Sequence, residues 1–327
     1  MKALLISKWM LACVLLCLML LAVSAGLFRQ QLLQPRAVEA ELTIAPGSST
    51  RHISEQLQQA GVIDSALLFR LWVRYQGISS ALKAGEYHLS GSMNMLDVLD
   101  KLIRGDVVMY RVTVPEGLRT DEIIQMLAKG TQTEAALWYQ ALATLLGSEE
   151  YEGRLLPETY TYEKPVKPLK VLKTMLQAQL DVLASIQTST DVQKLRIIAS
   201  IIEKETRLDH ERVLVSAAIY NRLKKHMRLQ MDPTVIYGIW RTTGTFSGNI
   251  RRKDLQQTTP WNTYTIDGLP PTPICHPGKA SLMAAATPAD VDYLYFVADG
   301  SGGHVFSSTL EDHQKHVQQW IRHERGL

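Results

Sequence analysis

The sequence is poor in cysteine: three in 327 residues, of which Cys13 and Cys17 lie in one apolar N-terminal run. Cys275 stands alone in the rest of the chain, which excludes an intrachain disulfide framework and a multi-cysteine zinc site there. An excess of charge is also missing. Thirty-five lysines and arginines face 32 aspartates and glutamates, for a formal net charge of +3. That is too near balance for a nucleic-acid binder with a clustered basic surface. The one glycine-rich run, Gly300-Ser301-Gly302-Gly303, lacks the lysine and the strand–loop–helix setting of a phosphate loop and reads as a hairpin turn. What is present is 46% hydrophobic and 20% charged residues with 20 glycines and 13 prolines, the make-up of a globular chain of about two domains.

Trp9 to Phe28 (WMLACVLLCLMLLAVSAGLF) carries no charge over twenty residues. As a helix it spans about 30 Å, the thickness of a bilayer core. Val23-Ser24-Ala25 resembles a signal cleavage site, but the apolar run exceeds the usual ~7–15 residue signal core, so an uncleaved anchor is expected. Lys2 and Lys8 before the span are matched by Arg29 and Arg36 after it, so the positive-inside rule gives no clean orientation. An N-terminal anchor on a chain almost free of cysteine fits export across a bacterial inner membrane. The expected layout is a cytoplasmic tail at 1–8, an anchor at 9–28, a Pro-containing linker at 29–40, a small α/β module at 41–110 and a larger domain at 111–327.

Leu42-Thr43-Ile44-Ala45-Pro46-Gly47 opens a strand–turn–helix unit, and Val112-Thr113-Val114-Pro115-Glu116-Gly117 opens a second. Between them the pattern predicts helices over 63–73 and 96–103 and a strand over 84–89. Helices are predicted over 166–186 and 192–209, with Asp232 as the N-cap of a helix that has Pro233 at its first position. Thr258 to Pro277 reads as a long irregular loop, of the kind that often carries function. Strands at 293–297 and 304–306 form a hairpin, followed by a last helix with a Ser308–Glu311 capping box.

Chemistry concentrates at Ile197-Ile198-Ala199-Ser200-Ile201-Ile202-Glu203-Lys204-Glu205. At about 100° per residue, Glu205 shares a face with Ile198, Ile201 and Ile202. A carboxyl on an apolar stripe loses hydration, which raises its pKa toward what a general acid needs at neutral pH. Glu203 points to the face of Arg196, Ala199, Ser200 and Arg207 and is placed for a pair with Arg207. Most glutamates on such helices simply reach water. Against that base rate stand Asn221, Gln230, Asp232, Asn262, Thr263 and Tyr264, at helix ends and in loops where hydrogen-bonding groups can converge on a sugar. No metal site is expected, because His313 and His316 fit a solvated helical face; no cofactor motif is present. Cys275-His276 lacks a protease signature, and Trp72 reads as core.

The motifs IIEKET, YNRL, MRLQMDPTVIYG, WNTYTIDGLPPTPI and YLYFVADGSGGHVFS, with EGRLLPETY at 152–160 and VPEG at 114–117 upstream, resemble the endolytic murein transglycosylase family (MltG type). The resemblance covers most of the chain after the anchor. It implies an α+β protein with a LysM-like subdomain and a larger catalytic domain bearing a substrate groove, anchored in the inner membrane with that domain in the periplasm. It implies internal cleavage of peptidoglycan glycan strands between N-acetylmuramic acid and N-acetylglucosamine, leaving 1,6-anhydro ends. It further implies termination of nascent strands, work beside peptidoglycan synthases, and no cofactor. The second glutamate of E-K-E, Glu205, falls on the catalytic acid/base; Gln230, Asp232, Asn262, Tyr264 and Asn221 are expected to bind substrate. Glu158 stands where many relatives carry Asp. Two other readings stay open: a non-catalytic peptidoglycan-binding or division scaffold, and a hydrolytic muramidase with Asp232 as its second carboxylate.

Overall fold

A computed structural model describes residues 2–147, 150–246 and 248–324. The protein is mixed α and β, and its described residues form three two-stranded sheets among many helices. Clustering of contacts divides it into two compact units: residues 1–110 with 162–166, and residues 111–161 with 167–327.

In the first unit a helix, α1 (Lys2–Leu33), leads directly into β1 (Arg36–Ile44). The linker expected at 29–40 is therefore not a linker. Helix-forming Gln30, Gln31 and Leu32 continue the apolar helix, and Leu32 is buried in the unit's core. The strand also starts earlier than expected, because Val38, Ala40, Leu42 and Ile44 alternate toward that core. Within α1, Val14–Leu33 is long and apolar enough to cross a membrane.

β1 pairs antiparallel with β2 (Gly85–Met93), from Arg36 opposite Met93 to Ile44 opposite Gly85. Packed with this ribbon are α2 (Thr50–Gln59), α3 (Ala66–Tyr75), a 3₁₀ turn at Ser79–Ala81, and α4 (Met95–Arg104). Leu57, Phe69, Val73, Tyr87, Leu89, Val98 and Leu102 fill the core. Trp72 packs at its edge against Phe28 and Tyr75.

The Asn94 side chain accepts the N–H groups of Leu96 and Asp97, while Asp97 accepts that of Asn94. This capping box fixes the start of α4. Asn94→Ala is expected to cost about 1 kcal/mol, read as a lower urea midpoint for this unit with an unchanged slope.

β3 (Met109–Thr113) pairs with β4 (Thr159–Glu163), with α5 (Thr120–Thr131) and α6 (Ala135–Leu146) between them in the chain. The second unit continues through α7 (Pro168–Ser185), α8 (Val192–Glu205), α9 (Asp209–Lys224), α10 (Asp232–Thr243), α11 (Arg252–Gln256) and α12 (Lys279–Ala286). It ends with the antiparallel hairpin β5 (Tyr295–Ala298) and β6 (His304–Ser307) and then α13 (Leu310–Glu324).

α8 is the axis of this unit. Asp191 caps its start by accepting the N–H groups of Gln193 and Lys194, and every residue from Leu195 to Ile202 is buried. The helix is therefore not amphipathic: the face expected to carry polar groups is also enclosed. There Arg196 Nε donates to Gln179 Oε1 at 2.9 Å, and Ser200 Oγ accepts the Ile274 N–H at 3.0 Å. The cap of α13 is shifted by one residue from expectation. Thr309 and Asp312 make it, and Ser308 donates to Asp292 instead.

Candidate active site

α8 ends at Glu205, where Thr206 turns extended and donates its hydroxyl to Glu211 Oε2 at 2.7 Å. The stripe Ile198–Ile201–Ile202 thus delivers Glu205 from the core to a helix end. Its Oε1 is inaccessible to solvent and has no hydrogen-bond partner. Burial first, and the negative charge of Asp232 second, push its pKa up to about 8, against the opposing pull of Arg222. Glu203 does not make the pair expected with Arg207; its Oε2 accepts the Gly278 N–H at 2.9 Å. Glu205 thus carries a proton at neutral pH.

The carboxyl faces a cavity of about 230 Å³ that is also lined by Arg222, Gln230, Asp232, Tyr264, Phe296 and His304. Asp232 is not an N-cap, since Met231 holds that position and Asp232 is the first helical residue. Its Oδ1 accepts the Tyr264 hydroxyl at 2.6 Å. Gln230 is exposed and left-handed (φ 51°), a conformation uncommon outside glycine, and its N–H donates to Thr263 O at 3.1 Å. Thr263 Oγ1 accepts the Met231 N–H at 2.9 Å and lies 2.8 Å from Thr234 Oγ1, which fastens the 258–277 loop to the start of α10. Farther along that helix Gly238 lets the loop come close: a Cβ there would collide with Thr259 Oγ1 and meet Trp261 Cβ at 3.3 Å.

Two expected site residues do not reach the cavity. Asn262 is fully buried, its amide donating to Leu255 O and Gln257 O and its carbonyl accepting the Tyr264 N–H. Asn221 donates to Val291 O and Tyr293 O. The N–H groups of both amides are taken up by backbone carbonyls, so each side chain holds a loop. Three residues that the sequence did not assign to the site are Arg222, Glu211 and His304. Arg222 follows Val215, Ala218 and Ile219 at helical spacing, so a charge on an apolar face was its available signal. Glu211 and His304 are 93 positions apart and gave none.

A larger cavity, of about 640 Å³, lies elsewhere in the unit beside Glu152, Tyr139, Tyr237, Trp240 and Trp261. Burial raises Glu152 to about 7, but its oxygens already accept the Thr120 N–H and hydroxyl and the Tyr237 hydroxyl. The acid of the smaller cavity, by contrast, has an oxygen without a partner. Cys275 and His276 are buried; His276 bonds Thr120 and Leu155, and burial lowers it to about 3. His313 is not solvated as expected but stacks on Tyr295, and His316 Nδ1 lies 2.9 Å from Ser307 Oγ.

A half-buried acid at a helix end, opening into a small polar cavity under a hairpin, sits within a region (residues 42–319) that matches the YceG-like family, and the chain belongs to that family. Among its relatives is the endolytic murein transglycosylase of Bacillus subtilis (strain 168), 32% identical over 329 residues, an alignment covering 91% of this chain and 90% of that protein. The endolytic murein transglycosylase of Streptococcus pneumoniae (strain ATCC BAA-255 / R6) is 29% identical over 323 residues, covering 85% of this chain and 58% of the longer relative. A crystal structure of a YceG-like protein from Listeria monocytogenes is similar with a TM-score of 0.55 and 32% identity, over 86% of this chain and 99% of that one.

Proposed function

We propose that the protein is an endolytic lytic transglycosylase of peptidoglycan in which Glu205 alone serves as general acid and then general base. The observation that carries this reading is the Glu205 carboxyl: raised to about 8, with an unpartnered oxygen, and facing a cavity lined by Gln230, Asp232 and Tyr264. At neutral pH it holds a proton to give to the glycosidic oxygen between N-acetylmuramic acid and N-acetylglucosamine. As that bond breaks, the muramoyl C6 hydroxyl closes on C1, and the Glu205 carboxylate takes the hydroxyl proton. The nucleophile belongs to the substrate, so no second carboxylate and no ordered water are needed. Asp232, with its Oδ1 engaged by Tyr264, holds Glu205 protonated by its charge and presents a hydrogen-bonding edge to the sugar. Arg222 favours the carboxylate that forms once the proton has left.

The rest of the assignment follows from the same reading. α1 anchors the chain in the inner membrane with the second unit in the periplasm, the first unit is a LysM-like glycan-binding module, and cleavage terminates nascent strands beside the synthases that make them. Mass spectrometry of glycan strands digested by the full chain in detergent tests the chemistry. Fragments whose masses sum to that of the substrate are expected, with anhydro-muramoyl ends. Fragments heavier by one water would instead establish a hydrolytic muramidase with Asp232 as partner, and uncut strands a binding scaffold.

A further inference from the structure

The scheme above leaves Glu211 and His304 without a task. Glu211, in the first turn of α9, is 3% exposed. Its Oε1 accepts the His304 backbone N–H at 2.6 Å, and its Oε2 lies 2.7 Å from His304 Nδ1 and accepts the Thr206 hydroxyl at 2.7 Å. One carboxylate thus grips the residue that follows Glu205 and the residue that opens β6, the latter by main chain and ring together. Phe296 meets the imidazole edge-on, with ring centroids 5.5 Å apart at 89°. Burial works to raise Glu211, but the hydrogen bonds from His304 and Thr206 outweigh it and hold the carboxyl below its usual value, so it is ionised.

In a neutral ring, a carboxylate that accepts from Nδ1–H leaves the lone pair on Nε2. Nε2 makes no hydrogen bond among the described residues, and His304 lines the Glu205 cavity. A purely structural clasp between α9 and the hairpin would need the backbone N–H and Nδ1 only. It gives no reason for an imidazole with an unbonded nitrogen on a residue that lines the same cavity as the proposed acid.

We propose that His304 is a second substrate-contacting residue of this cavity, accepting through Nε2 a hydrogen bond from a hydroxyl or amide N–H of the bound sugar, with Glu211 as the positioning residue that fixes its ring and tautomer. The proposal rests on the cavity being a glycan site. It adds no proton transfer to the scheme: Glu205 remains the acid and base, and His304 orients the muramoyl residue against it.

Asparagine and glutamine separate the two ring nitrogens. The amide of His304→Asn can replace Nδ1 toward Glu211 but places nothing at Nε2, whereas His304→Gln reaches the Nε2 position and gives up the Glu211 bond. With the full chain in detergent and purified glycan strands, His304→Asn is expected to melt near the wild type yet lose about tenfold or more in kcat/KM, the loss of one hydrogen bond to the ligand. His304→Gln is expected to melt lower but to keep more activity than His304→Ala. Wild-type kcat/KM in His304→Asn overturns the proposal, as does a glutamine variant no better than the alanine one, which decides the matter should the asparagine variant not fold. A wild-type chain that releases no anhydro ends sinks the transglycosylase reading instead. The affinity of wild type and His304→Asn for the same strands, measured without turnover, then still decides whether His304 touches glycan.

Discussion

Glu205→Gln ends the release of anhydro-ended fragments, with an expected fall of about 10²–10⁴-fold in turnover, and its stability relative to the wild type grows as the pH rises. The two effects share one cause. The Glu205 carboxyl is raised from 4.5 to about 8 by burial and by Asp232. Between those values the folded state keeps a proton that the unfolded chain has released, so the wild type loses stability as pH climbs through the window. Glutamine carries no titrating proton and does not share that slope. The melting temperatures of variant and wild type are therefore expected to lie close near pH 4–5 and to diverge up to pH 8, by about 2–4 °C for each kcal/mol recovered. The wild-type rate itself should decline above about pH 8, where the acid form runs out. Glu203→Gln is the control: its Oε2 holds the Gly278 N–H, so this change weakens the α8–α12 contact while leaving the acid in place. An active Glu205→Gln chain, or a melting difference that stays flat from pH 5 to 8, is incompatible with the mechanism.

Part of the proposed site was legible in the sequence because Glu205 is placed by helical period alone. The spacing of Ile198, Ile201, Ile202 and Glu205 needs no tertiary knowledge, and the α8 core holds that stripe as the pattern demands. The same argument failed for the opposite face. Arg196 and Ser200 look like surface residues in sequence, but Gln179 and Ile274, brought in by distant segments, satisfy their polar atoms inside the core. Asn221 and Asn262 were legible as loop amides but not as spent ones, because the carbonyls that occupy them belong to the chain at 291–293 and 255–257. Element boundaries slipped where two rules competed. At 29–36 a proline suggested a linker, yet helix propensity ran to Leu33 and period-two alternation began at Arg36. At Asp232 the N-cap preference of aspartate gave way because the carboxylate is engaged by Tyr264. The Glu211–His304 pair, which joins α9 to β6, has no local signature at all.

Arg222 offers the sharpest separation of scaffold from electrostatics. Its buried guanidinium donates from Nε to Leu294 O and from Nη1 to Leu229 O, each at 2.6 Å, so one side chain ties the approach to β5 to the turn before Gln230. Arg222→Met leaves both carbonyls without their donor, at roughly 1–3 kcal/mol each, and is expected to lower the melting temperature by about ten degrees. It also removes the positive charge that draws Glu205 downward, so the alkaline limit of the rate in whatever fraction stays folded must move to higher pH. Arg222→Lys keeps a charge but cannot serve two carbonyls in different directions with a planar fork. It is expected to lose much of the same stability while leaving the alkaline limit close to that of the wild type. The two variants should therefore agree in thermal unfolding and part in their pH–rate profiles. If the methionine variant titrates like the wild type, Arg222 serves the cavity as a brace alone, and the charge that settles the Glu205 carboxylate after proton donation must come from elsewhere.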